Sequence, residues 1–300
     1  MAKKEKVKKP WYVRLIISLI STVLVLALIW GGICIFVKVK YDISVFQTIN
    51  CVNKLSQDVN EETAFPNKFS ASDMSSAMTD VNAKIAGLIT YTEADGYDVT
   101  GKGVTSETHL VSTLKITDKQ LGAITDVIIR SQADKATTQL FGHDVTLELV
   151  QIKFDNINNT TGEADVNIVV KFDISFLRKE MNSFPLSLFA NKIPSVMYVS
   201  STNTISKGEG AFEYSVVPKE FAINNLSNSE TQDLFKVINL VASAGSAEDM
   251  NKQIGTMFAN LLIGNSESNG FAYSLKDFGV ADYSFETNTA TGDNYFVFLA

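Results

Sequence analysis

Two histidines and two cysteines in 300 residues leave little material for metal or thiol chemistry. His109 and His143 are isolated, and neither has a second ligand at metal-site spacing, which argues against a zinc site. No Gly-rich phosphate loop and no Gly-x-Ser-x-Gly elbow occurs, so the sequence offers no motif for phosphoryl transfer or serine hydrolysis. Ser112-Thr113-Leu114-Lys115 matches a Ser-x-x-Lys pattern, but it falls in an alternating stretch, where the serine cannot open the helix that this chemistry needs. Glu93, Asp95 and Asp98 lack the remaining ligands of a calcium loop and suit a solvated hairpin tip. Carboxylates are plentiful, yet spacing assigns none of them general acid and base roles. Asn158, Asn159 and Asn225 head Asn-x-Ser/Thr triplets, which matter only in a eukaryotic secretory setting. The expectation is a protein that is not an enzyme and has no cofactor and no metal; a cell-wall-acting enzyme is the least favoured alternative.

What is present begins with an unbroken apolar run, Leu15 to Val37, behind a leader bearing Lys3, Lys4, Lys6, Lys8, Lys9 and Arg14. At ~1.5 Å per residue the run covers roughly 34 Å, enough to cross a hydrocarbon core of ~30 Å. Positive flanks stay cytoplasmic, so residues 38–300 are expected outside, in a single-pass cell-membrane protein. Trp11 and Tyr41 mark the two interfaces. A cleaved signal would carry a shorter apolar core and a small-x-small site, which Val37-Lys38-Val39-Lys40-Tyr41 does not supply. Ile33 before Cys34 argues against a lipoprotein signal. The expected organisation is a basic leader over 1–14, a span over 15–37, a helical stalk and linker over 38–72, and an extracytoplasmic domain over 73–300.

Six of the 26 Lys and Arg and one of the 33 Asp and Glu lie in the leader, leaving 20 against 32, about −12, beyond it. Such a domain has no bulk attraction for nucleic acid or anionic headgroups. Cys34 falls within the span and Cys51 outside, so the domain is expected to fold without an internal disulfide, as an exported bacterial protein can.

Tyr41, Val45, Ile49, Val52, Leu55 and Val59 form one helical stripe. It reads either as a homodimerising stalk through residues 41–59 or as a helix packed on its own domain. Asn60 to Ser72 reads as a polar loop, followed by a helix on Met74, Ala77, Met78, Val81 and Ile85. Strands follow: a hairpin at Asp95-Gly96, His109 to Ile116, Asp144 to Asp155 with some slippage in its alternation, Ala164 to Ile174 with Asp165, Asn167, Val169, Lys171 and Asp173 on a wet face, a hairpin of Val196–Ile205 with Ala211–Val217, then Phe271–Leu275, Val280–Phe285 and Tyr295–Leu299. Thr117-Asp118-Lys119-Gln120 fits a capping box that opens a helix. Two late helices, one after Ser227 and one from about Ala247 to Ile263, are apolar nearly all round and call for enclosure. The fold class is α+β: antiparallel β-sheet packed with amphipathic and buried helices, preceded by one transmembrane helix. An apolar groove is expected along Phe184, Leu186, Phe189, Phe235, Ile238 and Val241, beside those helices.

The stretch Leu114 to Ile124, the later Phe184-Pro185-Leu186, and Ile193-Pro194-Ser195-Val196-Met197-Tyr198-Val199-Ser200 together resemble YpmS-like single-pass envelope proteins of Gram-positive bacteria, over about residues 110–225. That resemblance implies a membrane-tethered, non-catalytic domain and transfers no functional residues. The expected function is a membrane-anchored extracytoplasmic binding module that holds a lipophilic ligand or an envelope-protein partner. The alternative is a structural scaffold with no small-molecule ligand.

Overall fold

The computed structural model describes residues 45–105, 108–131, 137–140, 143–176, 194–239, 246–268 and 270–300. The expected span, with Trp11, Leu15, Val37 and Tyr41, lies outside them, and among the described residues no helix is long and apolar enough to cross a membrane. The described part is α+β with wholly antiparallel pairing.

In chain order the elements are α1 (Val45–Leu55), α2 (Glu61–Ala64), α3 (Ala71–Asn82), β1 (Thr90–Thr92), β2 (Gly96–Asp98), β3 (Leu114–Thr117), α4 (Asp118–Ser131), β4 (Thr137–Leu140), β5 (His143–Asn158), β6 (Glu163–Asp173), β7 (Val196–Lys207), β8 (Tyr214–Ile223), α5 (Asn228–Asn239), α6 (Ala247–Leu262), α7 (Phe271–Ser274), β9 (Asp282–Thr287) and β10 (Asn294–Leu299). A five-stranded sheet runs β4-β5-β6-β7-β8, a three-stranded sheet runs β3-β10-β9, and β1 and β2 form a separate hairpin.

Alternation sets the main sheet. Ala164, Val166, Ile168, Val170 and Phe172 of β6 all point to one buried face, joined there by Ile152 and Phe154 of β5 and by Met197, Val199 and Ile205 of β7. The register of β5 slips between Leu149 and Gln151, so Val150 and Gln151 turn together toward the opposite face. Pro218 has no N–H to give and sits in β8, the strand at the sheet edge.

Helices α4 and α6 and the small sheet cover the inner face. Phe154 meets Phe285 edge-on at 5.2 Å, and Phe285, Phe296 and Phe298 continue the aromatic chain. Each such fully buried ring contributes about 2–3 kcal/mol relative to exposure, which is how the domain coheres with no disulfide among the described residues.

Local signals explain the helix starts. At α4 the Gln120 N–H donates to Thr117 Oγ1 at 3.2 Å, and the Thr117 N–H to Gln120 Oε1 at 2.9 Å. At α5 Ser227 and Glu230 make the same reciprocal pair. Where the alternation of Phe271 to Leu275 suggests a strand, the chain forms helix α7: adjacent Phe271 and Ala272 are both buried, with Leu275 a turn later, a pattern that suits a helix. The Asp95-Gly96 turn is present, but Thr92 pairs with Gly96, so the loop is Glu93 to Asp95 and Gly96 takes φ +73° as the first residue of β2. Of the stretch expected as a strand, His109 to Ile116, only Leu114 to Ile116 is extended in a ladder, in a strand that runs on to Thr117, and Val111 is exposed. The enclosure of α6 is partial: Glu248, Asp249, Lys252 and Gln253 face solvent, while Ile254, Phe258 and Leu262 are buried.

Candidate functional site

Of the residues expected to line a groove, Phe184, Leu186, Phe189 and Val241 lie outside the described residues, and Ile238 is placed on α5. Phe235 is buried and packs edge-on against Phe221 of β8 at 5.8 Å. Phe235 therefore fills the space between α5 and β8. Leu234, next to it, is buried as well.

Beside α5 stands α1. Val52 and Leu55 of the stripe and Cys51 on its flank are buried, Lys54 Nζ lies 2.6 Å from Glu230, and the C-terminal end of the helix is held by side-chain amides. Asn224 Nδ2 donates to the Leu55 carbonyl at 2.9 Å, and Asn225 Nδ2 to the carbonyls of Lys54 and Gln57. Over Cys51 to Leu55 the stripe thus packs on its own domain. Burial, with Glu230 and Asp233 nearby, pushes the Cys51 thiol up, so it stays protonated.

The densest polar constellation lies on the outer face of the main sheet, in a segment that reads from sequence as a plain loop. Asn60 caps α2 by accepting from the N–H groups of Glu62 and Thr63. That short helix aims Glu61 at the sheet. Glu61 Oε1 accepts from Tyr198 Oη at 2.7 Å and from Lys171 Nζ at 3.0 Å, and its other oxygen pairs with Lys68. Burial disfavours the charge, but the three donors outweigh it and hold the carboxyl down at about 2. Burial and the same carboxylate push the Tyr198 phenol up.

Below Glu61, Phe65 packs on Tyr198 with ring centres 5.4 Å apart, in a small apolar patch with Val150 and Val169 that is separate from the main core. Asn67 then closes on the side of β5 away from β6. Its N–H donates to Gln151 Oε1 at 3.0 Å, its Nδ2 donates to the Ile152 carbonyl at 2.8 Å, and Lys68 bridges Gln151. A row of amides and hydroxyls continues across the sheet: Gln151 Nε2 to Asn167 Oδ1, and Asn167 Nδ2 to Ser200 and Thr202. Asp165 ends the face, accepting from Lys219, Asn156 and Thr204; these donors overcome burial and lower its pKa. The face expected to be wet is therefore in part roofed, with Val169 and Asp165 buried.

This arrangement holds segments together. Glu61, saturated by donors and ionised, does not suit proton transfer near neutral pH. Burial raises Asp118, which accepts from Phe154 N–H and Lys119 N–H and bonds Asn67, tying α4, β5 and the roof. Burial also raises Asp126, which pairs with Arg130 at 2.7 Å. Among the described residues no group of three His, Cys, Asp or Glu is placed to hold a metal. His143 stacks on Phe176 at 4.8 Å, and Ser112 accepts from Lys84 at 2.8 Å. The triplet asparagines are occupied as well: Asn159 makes a two-way pair with the Thr287 backbone, and Asn158 Oδ1 caps the turn at Thr160.

Only the Asn60 cap and the acidic first turn after it could have flagged this constellation from sequence; nothing links Glu61 to Lys171 across the intervening chain. Compared with known proteins, the chain matches no family model, no curated protein and no solved structure.

Proposed function

We propose that the chain is a membrane-anchored extracytoplasmic binding module of the cell envelope, taking a lipophilic ligand or a membrane-bound partner and performing no catalysis. The observation that carries this reading is the docking of α1. The apolar run ends at Val37 and the chain is already buried against α5 at Cys51. The fourteen chain steps from Val37 to Cys51 reach at most about 50 Å even when fully extended. The face built from α1 and α5 is then held within that distance of the bilayer, where a lipid or a membrane protein is the nearest partner. The resemblance to YpmS-like envelope proteins supports the same topology.

The test has two arms. Protease added to whole cells must degrade the bulk of the chain; protection of residues 45–300 overturns the topology. Native mass spectrometry of the full chain released from detergent must show a retained lipid or a co-purified membrane protein; a bare chain in repeated preparations overturns the binding role. The second reading, a scaffold without a small ligand, is favoured by one contact: Phe235 is filled in by Phe221.

A further inference from the structure

The roof over the outer sheet face has the anatomy of a movable part. Residues 57–68 lead from α1 toward α3, and within them only Phe65 is buried, while α2 buries none of its residues; Phe69, the next residue, packs against the main core beside Gly122 of α4 and ends the segment. Phe65 belongs to the small outer patch with Val150, Val169 and Tyr198, which shares no buried side chain with the main core. The segment is fixed to the sheet at two places, with Asn67 also bonded to Asp118 of α4 and the Gln57 carbonyl held by Asn225 at its start. One is the Glu61 hub, with Tyr198, Lys171 and Lys68. The other is the pairing of Asn67 and Lys68 with Gln151 and Ile152 on β5. Among the described residues that pairing sits where β5 has no neighbouring strand on this side, because β4 covers β5 only from His143 to Thr146.

We infer that residues 57–68 form a strap that opens as a unit while the β-domain stays folded, with Glu61 as its latch and Phe69 as its fixed end, and that its opening controls access to the edge of β5 that no described strand pairs. Releasing Glu61 and Phe65 breaks no contact of the inner face. It uncovers Val150, Val169 and Tyr198 and frees the Gln151 side chain and the Ile152 carbonyl. The strap directly follows α1, so both its ends are held by packed helices, which favours hinged opening over loss of the segment. Unlocking is a local event, drawn from the low end of the stability range within the fold.

Hydrogen exchange on the full chain in detergent micelles tests this. The amides of Ala64, Phe65, Asn67 and Lys68 are all hydrogen-bonded and report the strap, while those of β6 and β7 report the sheet. In the unaltered chain the strap amides must exchange at least about tenfold faster than the slowest amides of β6 and β7. Glu61→Gln, which removes two charge-assisted bonds, must speed the strap amides by about tenfold more and leave β6 and β7 unchanged. Phe65→Ala, acting through packing instead of charge, must do the same. Strap amides that exchange only with the sheet, or variants that accelerate sheet and strap equally, would overturn the inference. A Glu61→Gln chain whose strap exchanges at the original rate would remove Glu61 as the latch.

Discussion

Replacing Gly255 by alanine probes how closely α6 lies on the main sheet. A methyl carbon at this position would stand 2.4 Å from Cγ of Asn203 on β7 and 2.6 Å from both of that side chain's amide heteroatoms. Asn203 cannot swing aside freely. It is fully buried, and its Nδ2 donates to Ser201 Oγ at 2.8 Å and to Asn251 Oδ1 at 3.3 Å. Forcing the helix outward costs about 1–3 kcal/mol as overpacking. Breaking the amide's bonds adds about 1 kcal/mol each. Alanine returns about 1 kcal/mol of helix propensity. The net expectation is a loss of about 2–4 kcal/mol, or about 5–10 °C in Tm for a domain of this size. Thermal unfolding of the full chain, followed by far-UV circular dichroism, measures it. The second variant isolates the cause: Asn203→Ala placed beside Gly255→Ala opens the space the methyl needs, so the pair must lose less than the sum of the singles, with coupling of about 1–3 kcal/mol. A Gly255→Ala chain as stable as the original, or more stable, refutes the close approach; strict additivity refutes Asn203 as the obstacle.

Three further outcomes are expected. Thr117→Ala removes the acceptor for Gln120 N–H and costs about 1 kcal/mol, seen as a lower urea midpoint at unchanged slope, whereas Thr117→Ser restores it. Cys51 is buried and protonated, so in a Cys34→Ala chain it reacts slowly with a thiol reagent when folded and quickly in urea, and oxidative crosslinking in membranes leaves monomers; rapid native labelling or a disulfide-linked dimer of that chain counts against the docking of α1. Glu61 has a folded pKa depressed from 4.5 to about 2, so its contribution is complete above the unfolded value and is lost as pH falls through that window. Strap protection must therefore decline between those two pH values in the unaltered chain, and Glu61→Gln must remove that dependence. Burial raises Asp118 and Asp126, and these contribute in the opposite direction, favouring the fold as they bind protons, so the comparison with Glu61→Gln is what isolates the latch.

Much of the sheet was legible because its determinants are local. The alternation of β6 names its inner face outright, and the irregular alternation expected in β5 is the bulge at Val150. The caps at Thr117 and Ser227 are each written in four consecutive residues. What was not legible depends on pairing across distance. Asn67 meets Gln151, and Glu61 meets Lys171 and Tyr198, through side chains whose neighbours in sequence say nothing of each other. The outer alternates of β6 look wet in sequence, yet Phe65 covers Val169, and Asp165 is buried among Lys219, Asn156 and Thr204. Phe271 to Leu275 failed for another reason: five residues are too few to separate a strand's period from one helical turn.

The α1 stripe shows how these levels combine. Its apolar spacing serves equally well for a partner helix or for the chain's own domain, and hydrophobicity alone does not choose. The choice is made by the asparagines at the end of β8. Asn224 and Asn225 satisfy the last carbonyls of α1, groups that a helix end must otherwise leave to water, and they do so from a fixed backbone position. A helix bound through both its apolar side chains and its terminal carbonyls is committed to the domain over Cys51 to Leu55. Moving it to a second chain would expose Val52 and Leu55 and also orphan the Leu55 carbonyl. A partner of the proposed anchored chain therefore meets α1 already docked. Recognition in that proposal then falls to the surface that α1, α5 and the strap form together.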